Sequence, residues 1–457
     1  MDDLNIFTLA KYGLDLINKK NSNIKCSEIF FGQNKYVNIE IEENSIKNSE
    51  IGEDNGVSIR VINNKGSLGF AFTNRLEKKS IEKMINIAVK MMNVGTDNPD
   101  FKDLPFSYKT YPDVDDLFDK DLKNLQLEDS LLYVEDLIKI CEEDAMAISQ
   151  TANFISNYSK TYIYNSNELE ISGKETNCSL SSHIIVKDKV SKETSFGSEW
   201  QTERMLKNLD PERIVLNALD DAKRNLNRKK IRNMKVPIIL TPKGTISLIL
   251  RPIAAAVNGE TFQYKRSFLV DKRGETLGSE YLNIEDNGLI AGATGSSVFD
   301  GEGVPCRNKK IFEKGKFLRN GLLHNSFTAG KEGVESTGNA SRNSYSTIPS
   351  IGITNFVMKT GDIPLEEIIK GIKEGIVLDY TGDSPNISTG DFSGLILHGN
   401  LIKNGEIKEP LNETMVGINL IDLFQKIDAV SEEFSVYGVF RAPYVRIKSV
   451  NIIGGGN

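Results

Sequence analysis

At 457 residues the chain is long enough for about two or three domains at the usual ~150 residues each. Its 39% hydrophobic and 26% charged residues exclude a disordered or fibrous protein, and 56 Lys+Arg against 63 Asp+Glu, net −7, exclude a general electrostatic grip on nucleic acid or anionic lipid. No run approaches the ~18–20 apolar residues that span a bilayer, and the start is not a basic-then-apolar signal peptide, so a cytoplasmic protein without membrane contact is expected.

Leu4, Phe7, Ala10, Leu14 and Ile17 recur at steps of three and four and predict a first helix with Asp3 as its cap. Val37, Ile39 and Ile41 then alternate with Asn38, Glu40 and Glu42, as on a half-buried strand. Asn55-Gly56 reads as a turn, followed by a strand in which Val57, Ile59 and Val61 alternate with Ser58 and Arg60. Residues 63–66 read as a hairpin loop into a strand at 67–72. Ser80 is placed to cap a helix that buries Ile81, Met84, Ile85, Ala88 and Met92. From Gly95 to about Asp119 the chain is loop or irregular edge, and a helix resumes near Leu127 with Leu131, Val134, Leu137, Ile138 and Cys141 on one stripe. Strand-like stretches lie at 152–157, 161–164 and 183–186, with a polar turn at Asn165-Ser166-Asn167. Asp210-Pro211 opens a helix as cap and first residue, with Val215, Ala218, Leu219, Ala222 and Leu226 inside.

The basic stretch 224–235 reads as a solvated linker rather than a nucleic-acid patch, and the domain boundary is placed there. The expected fold class is α+β: residues 1–228 form an N-terminal α+β domain of antiparallel strands and packed helices, and 229–457 a β-rich C-terminal domain. In the latter, 236–240 is a strand and 245–257 a helix closed by Asn258-Gly259 as a left-handed cap. The rest is glycine-rich and strand-like, with a helix at 364–373.

The usual catalytic patterns are absent. The three histidines, His183, His324 and His398, are 141 and 74 residues apart, so no two lie one helical turn apart to share an ion. Each is expected to be exposed or hydrogen-bonded in a structural role. The four cysteines (Cys26, Cys141, Cys178, Cys306) contain no CxxC pair, and neither a GxSxG elbow nor a glycine-rich phosphate loop occurs. What stands out is a set of glycine-centred segments: FDGEGVP at 299–305, STGNASR at 336–342 and STGDFSG at 388–394. Each puts small polar side chains on a backbone that must turn sharply or approach something closely. By spacing alone they are tight turns of a β domain; such loops can also hold an extended peptide or an anion.

These segments, together with Gly56–Val61 text reading GVSIRV, KGSLGF at 65–70, NGE at 258–260, KRSFL at 265–269, NGEI at 404–407 and APYV at 442–445, resemble the TldD/PmbA family, the modulators of DNA gyrase, and within it the PmbA (TldE) branch. The resemblance runs over nearly the whole chain. It implies a cytosolic two-subunit metallopeptidase complex that acts on small or unfolded peptides. In that family the TldD-type subunit carries zinc on an HExxxH helix and a cysteine near its C-terminus, with the glutamate activating water. Aligned on Gly259, the His-Glu-His positions here are Leu250, Arg251 and Ala255, and the last cysteine is Cys306. The resemblance therefore implies a subunit with no metal or cofactor of its own, inactive alone, whose functional form is a heterodimer with a TldD-type chain that carries the zinc. The isolated chain could instead pair with itself as a homodimer.

Six residues are candidates for the substrate cleft: Asp300, Glu302, Ser336, Thr337, Asn339 and Arg342. Asp300 and Glu302, at i and i+2, would share one face of a strand and could accept a substrate amine or act as acid and base; alternatively they form a charged turn bonded to backbone or to Arg307. Arg342 could clamp a peptide carboxylate, or form an internal salt bridge, for example to Glu335. Ser336, Thr337 and Asn339 could touch substrate or simply hold a turn. Two other functions stay open: an independent hydrolase using Asp300 and Glu302, and a non-catalytic peptide-binding adaptor.

Overall fold

The computed structural model describes residues 3–20 and 23–456; the expected cap at Asp3 and contact at Leu4 lie outside the described side chains. Helix α1 (Asp3–Lys20) buries Ile6, Leu9, Ala10 and Ile17 and packs Leu14 against the core, so Ala10, Leu14 and Ile17 of the expected stripe face inward while Phe7 is turned outward and Ile6 and Leu9 join the buried face. Strands β1 (Ile24–Glu42), β2 (Ser45–Asn63), β3 (Leu68–Thr73), β4 (Ala147–Asn165), β5 (Glu170–Lys187) and β6 (Thr194–Glu203) form one sheet. Its order is β3-β2-β1-β4-β5-β6, every neighbouring pair antiparallel.

Several expectations change here. The patches at 152–157 and 161–164 are one strand, β4, whose 19 residues include the intervening polar stretch. Asn55-Gly56 is no turn but lies inside β2. Its glycine is explained by a close approach: a Cβ there would come within 2.2 Å of the Tyr345 ring, which lies against the sheet. The hairpin at 63–66 does form, with Asn63 Oδ1 accepting from the backbone N–H of Lys65 and Ser67.

The two faces of the sheet have different work. Ile29, Phe31, Val37, Ile39 and Ile41, alternate residues of β1, point to a helical layer. Helices α1 and α2 (Lys78–Val94) cover one half of that face, and α4 (Leu127–Glu142) with α5 (Pro211–Arg224) the other; the short α3 (Lys120–Asn124) precedes α4. Ser80 is not the cap of α2: Glu77 holds that position without a side-chain bond, and Ser80 Oγ instead donates to Glu77 Oε1. Asp210 and Pro211 do open α5 as cap and first residue. The intervening β1 residues, Glu28, Phe30, Gly32 and Asn34, face the second half of the chain.

That half is organised around a ring of strands. Phe440–Ile453 pairs with Met234–Leu240, which pairs with Glu374–Thr381, then Asp391–Lys403, then Thr414–Asn419, and the last returns to Phe440–Ile453. Five strands thereby close on themselves with no free edge among them. Ile238, Leu240, Ile376, Leu378, Phe392, Val445 and Ile447 belong to the apolar cluster that holds this part together. From Phe440–Ile453 the sheet continues through Asn355–Met358, Ile284–Asn287 and Asn308–Glu313. The basic linker is partly strand, since Lys229–Lys230 pairs with Glu406–Asn412.

The expected helix at 245–257 begins earlier, at Pro242, capped by Thr241, and runs to Ala256 through a widened π turn at Ile246–Leu250. That turn stands just ahead of Arg251-Pro252, where proline has no N–H to give the ladder. Asn258-Gly259 does not close it in the left-handed way. Asn258 is extended and caps the following helix, Gly259–Gln263, through the N–H groups of Glu260 and Thr261. Among the described residues no helix is long and apolar enough to cross a membrane.

Helix α5 packs so closely on β6 that a Cβ at Gly197 would meet Ala218 O at 2.1 Å and Ala222 N at 2.4 Å. Both are backbone atoms, so the helix must move. Gly197→Ala is expected to destabilise the chain by ~1–3 kcal/mol in urea unfolding.

Candidate functional site

The inner face of the N-terminal sheet and the glycine-centred loops of the C-terminal half meet around four buried charges. Arg60 on β2 and Glu28 on β1 are cross-strand partners. Arg60 Nη2 donates to Glu28 Oε2 at 2.8 Å, and its Nη1 donates to Glu302 Oε1 at 2.7 Å. Arg342 donates through Nη2 to the other Glu28 oxygen and through Nε to Gly301 O at 2.7 Å, and its guanidinium lies 4.4 Å from the centre of the Phe30 ring. None of the four side chains is more than 2% exposed. Burial works against the Arg60 charge, but Glu28 and Glu302 outweigh it and hold its pKa above the ordinary value. Burial likewise opposes the Glu302 anion, yet Arg60 and the Ser326 hydroxyl and N–H keep its pKa low.

The segment 299–305 is a turn rather than a strand, with Gly303 at φ +85°, and this separates its two carboxylates. Glu302 points into the charge network, to Arg60 and Ser326 rather than Arg307. Asp300 organises the turn itself: Oδ1 accepts from the N–H of Glu302 and Val304 at 2.9 and 3.0 Å, and Oδ2 from that of Ala340 at 2.9 Å. Burial and the Glu302 charge push the Asp300 carboxyl up to about 7, against these three donors. Arg342 is in an internal salt bridge, to Glu28 and not to Glu335.

Asp300 also lines a cavity of about 650 Å³ between sheet and loops. Phe30, Asn34 and Asn157 line it from the sheet; Asn339, Arg342 and Tyr345 from the loops. Tyr345 lies across the sheet, its hydroxyl donating to Asp54 at 2.9 Å. Asn339 donates to Asp286 at 2.8 Å and to Gly352 O at 2.9 Å. Thr337 Oγ1 accepts from His324 N at 2.7 Å and donates to Asn339 Oδ1 at 2.8 Å, while Ser336 Oγ donates to His324 O at 3.2 Å. Ser336 and Thr337 therefore tie the loop down from behind, and neither lines the cavity. Cys306 does, but burial first and then Asp300 push its thiol up to about 12, which removes a thiolate nucleophile at neutral pH. The arrangement offers a polar, half-enclosed groove with one carboxyl that exchanges protons near neutrality.

All three histidines are hydrogen-bonded: His183 Nδ1 to Ser198 Oγ at 2.7 Å, His324 Nδ1 to Thr328 Oγ1 at 3.2 Å, and His398 Nδ1 to Asp221 Oδ2 at 3.3 Å. Sequence reasoning missed Glu28, the function of Arg60, and Arg204. The last is 3% exposed and donates to the carbonyls of Thr176, Ala293, Thr294 and Ser296, fastening the second half of the chain to β5. The available signal, for Arg60 alone, was an arginine on the polar side of an alternating strand.

Two outcomes follow. Arg60→Met is expected to lower stability in urea by ~3–5 kcal/mol, the range for stranding one partner of a buried pair, and adding Glu302→Gln should recover part of that loss. For Asp300, the folded chain binds the extra proton between 3.8 and about 7. Stability from this group is full below the lower value and declines as pH rises through the upper one. Thermal unfolding followed from pH 4 to 8 should show that decline, and Asp300→Asn should flatten it.

Comparison with known proteins adds the family. Models of the PmbA/TldA metallopeptidase match as domain 1 over residues 27–92, central domain over 120–226 and C-terminal domain over 233–454. A metalloprotease of Methanocaldococcus jannaschii is 27% identical over 417 residues, covering 89% of each chain. A metalloprotease PmbA homologue of Buchnera aphidicola is 25% identical over 465 residues, 99% of this chain and 98% of that one. The crystal structure of TldE from Thermococcus kodakarensis shares the fold, with a TM-score of 0.85, 24% identity, and coverage of 98% of this chain and 100% of that one. By these matches, spread along its whole length, the chain belongs to the PmbA/TldD metallopeptidase family.

Proposed function

We propose that this chain is the TldE-type, non-catalytic member of a two-subunit peptidase acting on small or unfolded peptides, with a TldD-type partner supplying the zinc and the water-activating glutamate. The observation that carries the reading is the composition of the helical run 242–256, which contains no histidine, cysteine, aspartate or glutamate. At the positions aligned with the family's ligands and base, Leu250 is fully buried in the apolar core, Arg251 is exposed beside the Phe440 ring, and Ala255 has nothing to coordinate with. A guanidinium there opposes a cation. In this reading the chain contributes substrate binding, through the cavity that Asp300 and Asn339 line, and the hydrolytic chemistry belongs to the partner. An independent hydrolase built on Asp300 and Glu302 is disfavoured, since Glu302 is committed to Arg60 and Ser326.

Peptidase activity on an unstructured peptide should appear only when the chain is mixed with a TldD-type subunit, and a strong chelator should abolish it. Chelator-resistant activity from the chain alone would overturn the reading, and peptide binding without activity in the mixture would favour an adaptor. Ser159→Trp, placing a ring on the cavity wall, should raise KM of the mixture with little change in kcat, as expected for binding remote from the reacting bond.

A further inference from the structure

A second cavity, of about 670 Å³, lies where α5, β5 and β6 meet the C-terminal strands Glu374–Thr381 and Asp391–Lys403, and it shares no lining residue with the first. The helical run 242–256 presents Lys243, Ser247 and Arg251 to it. A π turn carries more residues than an α turn, so steps of four keep to one face through this mixed run. Much of the remaining lining is apolar and ring-bearing, with Phe196, Trp200, Tyr380, Pro385 and Leu397.

The two cations on that helix face differ in what they already hold. Lys243 is 3.3 Å from Glu199 Oε2, donates to Ser198 O at 2.7 Å, and lies over the rings of Trp200 and Tyr437. Arg251 lies 5.6 Å from the centre of the Phe440 ring, and among the described residues no carboxylate pairs with it. The carboxylates of the cavity gather at the other end of the run. Asp379 accepts from the hydroxyl of Thr241, the residue that caps the run, at 2.5 Å. Asp221 is within 4.8 Å of Asp379, 3.3 Å from His398 Nδ1, and feels the Lys243 charge. Arg251 stands two turns beyond Lys243, roughly 10–12 Å at ~1.5 Å rise per residue. The cavity is therefore polar along its length, with its acids by the start of the helix and a bare guanidinium at the far end.

We propose that the second cavity binds the C-terminal end of a short apolar peptide, with the carboxylate on Arg251 and the last side chain against Trp200 and Tyr380. A free guanidinium offers paired donors in a planar fork that matches a carboxylate. Asp221 and Asp379 repel an anion from the opposite end, which fixes the direction of the bound chain. The hydroxyls of Ser247 and Ser384 line the cavity and have no hydrogen-bond partner among the described residues, which leaves them for the main chain of a peptide. A fatty acid would have no use for them. The volume suits a ligand of a few residues. This site is additional to the cavity lined by Asp300, and it stands whether or not a partner supplies zinc.

Trp200 is the only tryptophan of the chain, is half-buried, and lines this cavity and not the first, so its emission reports on this site. The test titrates the full chain, without partner, with acetyl-Ala-Ala-Leu and with the C-terminal amide of the same peptide. Trp200 emission and its quenching by acrylamide are followed. The free acid should give a saturable change and shield Trp200, and the amide should bind ~3–10-fold more weakly, the scale of a partly exposed charge-assisted contact. Arg251→Gln, at an exposed position, should weaken the acid by the same factor and leave the amide unaffected, so that the two losses do not add. No saturable change in the wild-type chain, equal binding of acid and amide, or an undiminished preference for the acid in Arg251→Gln would overturn the proposal. The subunit reading fails or stands separately, by the activity of the mixture.

Discussion

Arg60 is the point on which the two halves of the molecule are set. Removing a charge from water costs several kcal/mol even after relaxation, and only close, multiple and well-aligned partners offset it. Arg60 has them in Glu28, beside it on the sheet, and Glu302, from the turn of the second half. Arg342 completes the set by bonding the other Glu28 oxygen and the Gly301 carbonyl. The turn at 299–305 and the loop at 340–345 are thereby held at a fixed height over the sheet, and the cavity lined by Asp300 is the space that remains beneath them. The same constraint explains why Glu302 does not line that cavity although Asp300, two positions away, does.

Around that contact the architecture divides its duties. Along β1, Ile29, Phe31, Val37, Ile39 and Ile41 face helices and build the apolar core, while Glu28, Phe30, Gly32 and Asn34 between them face the other half, with Phe30 under Arg342. The five-strand ring provides the rigid body that presents the glycine-centred loops. The helical run that follows Met234–Leu240 packs into the ring's apolar cluster through Ile246, Leu248, Ile249, Leu250 and Ile253. Leu250 among them is fully buried and contributes packing.

Features governed by neighbours in sequence were legible. Asp210-Pro211, the hairpin at 63–66 and the apolar stripes of α2 and α4 depend on local caps, turns and periodicity, and the α+β class followed from them. The failures occur where a distant residue decides. Gly56 signals a turn in isolation, but its lack of a side chain answers to Tyr345. Asn258-Gly259 looks like the end of one helix and is the start of another. The long strands β1, β2, β4 and β5 were fragmented because their cleft-facing and solvent-facing residues interrupt any simple alternation. The Asp221–His398 contact joins residues far apart in the chain, and no spacing rule could have paired them.

The charge network also bears on how the chain assembles during synthesis. Glu28 and Arg342 are 314 residues apart, so at ~5–20 residues per second the first waits roughly 15–60 s on the ribosome for the second. Over that interval the N-terminal sheet can complete itself, because Glu28 and Arg60 are adjacent on neighbouring strands and neutralise each other. The later half brings a balanced pair of its own, Glu302 and Arg342. Docking then adds the Arg60–Glu302 and Arg342–Glu28 contacts to pairs that already balance, and neither nascent half has to shelter an unmatched charge while the other is being made.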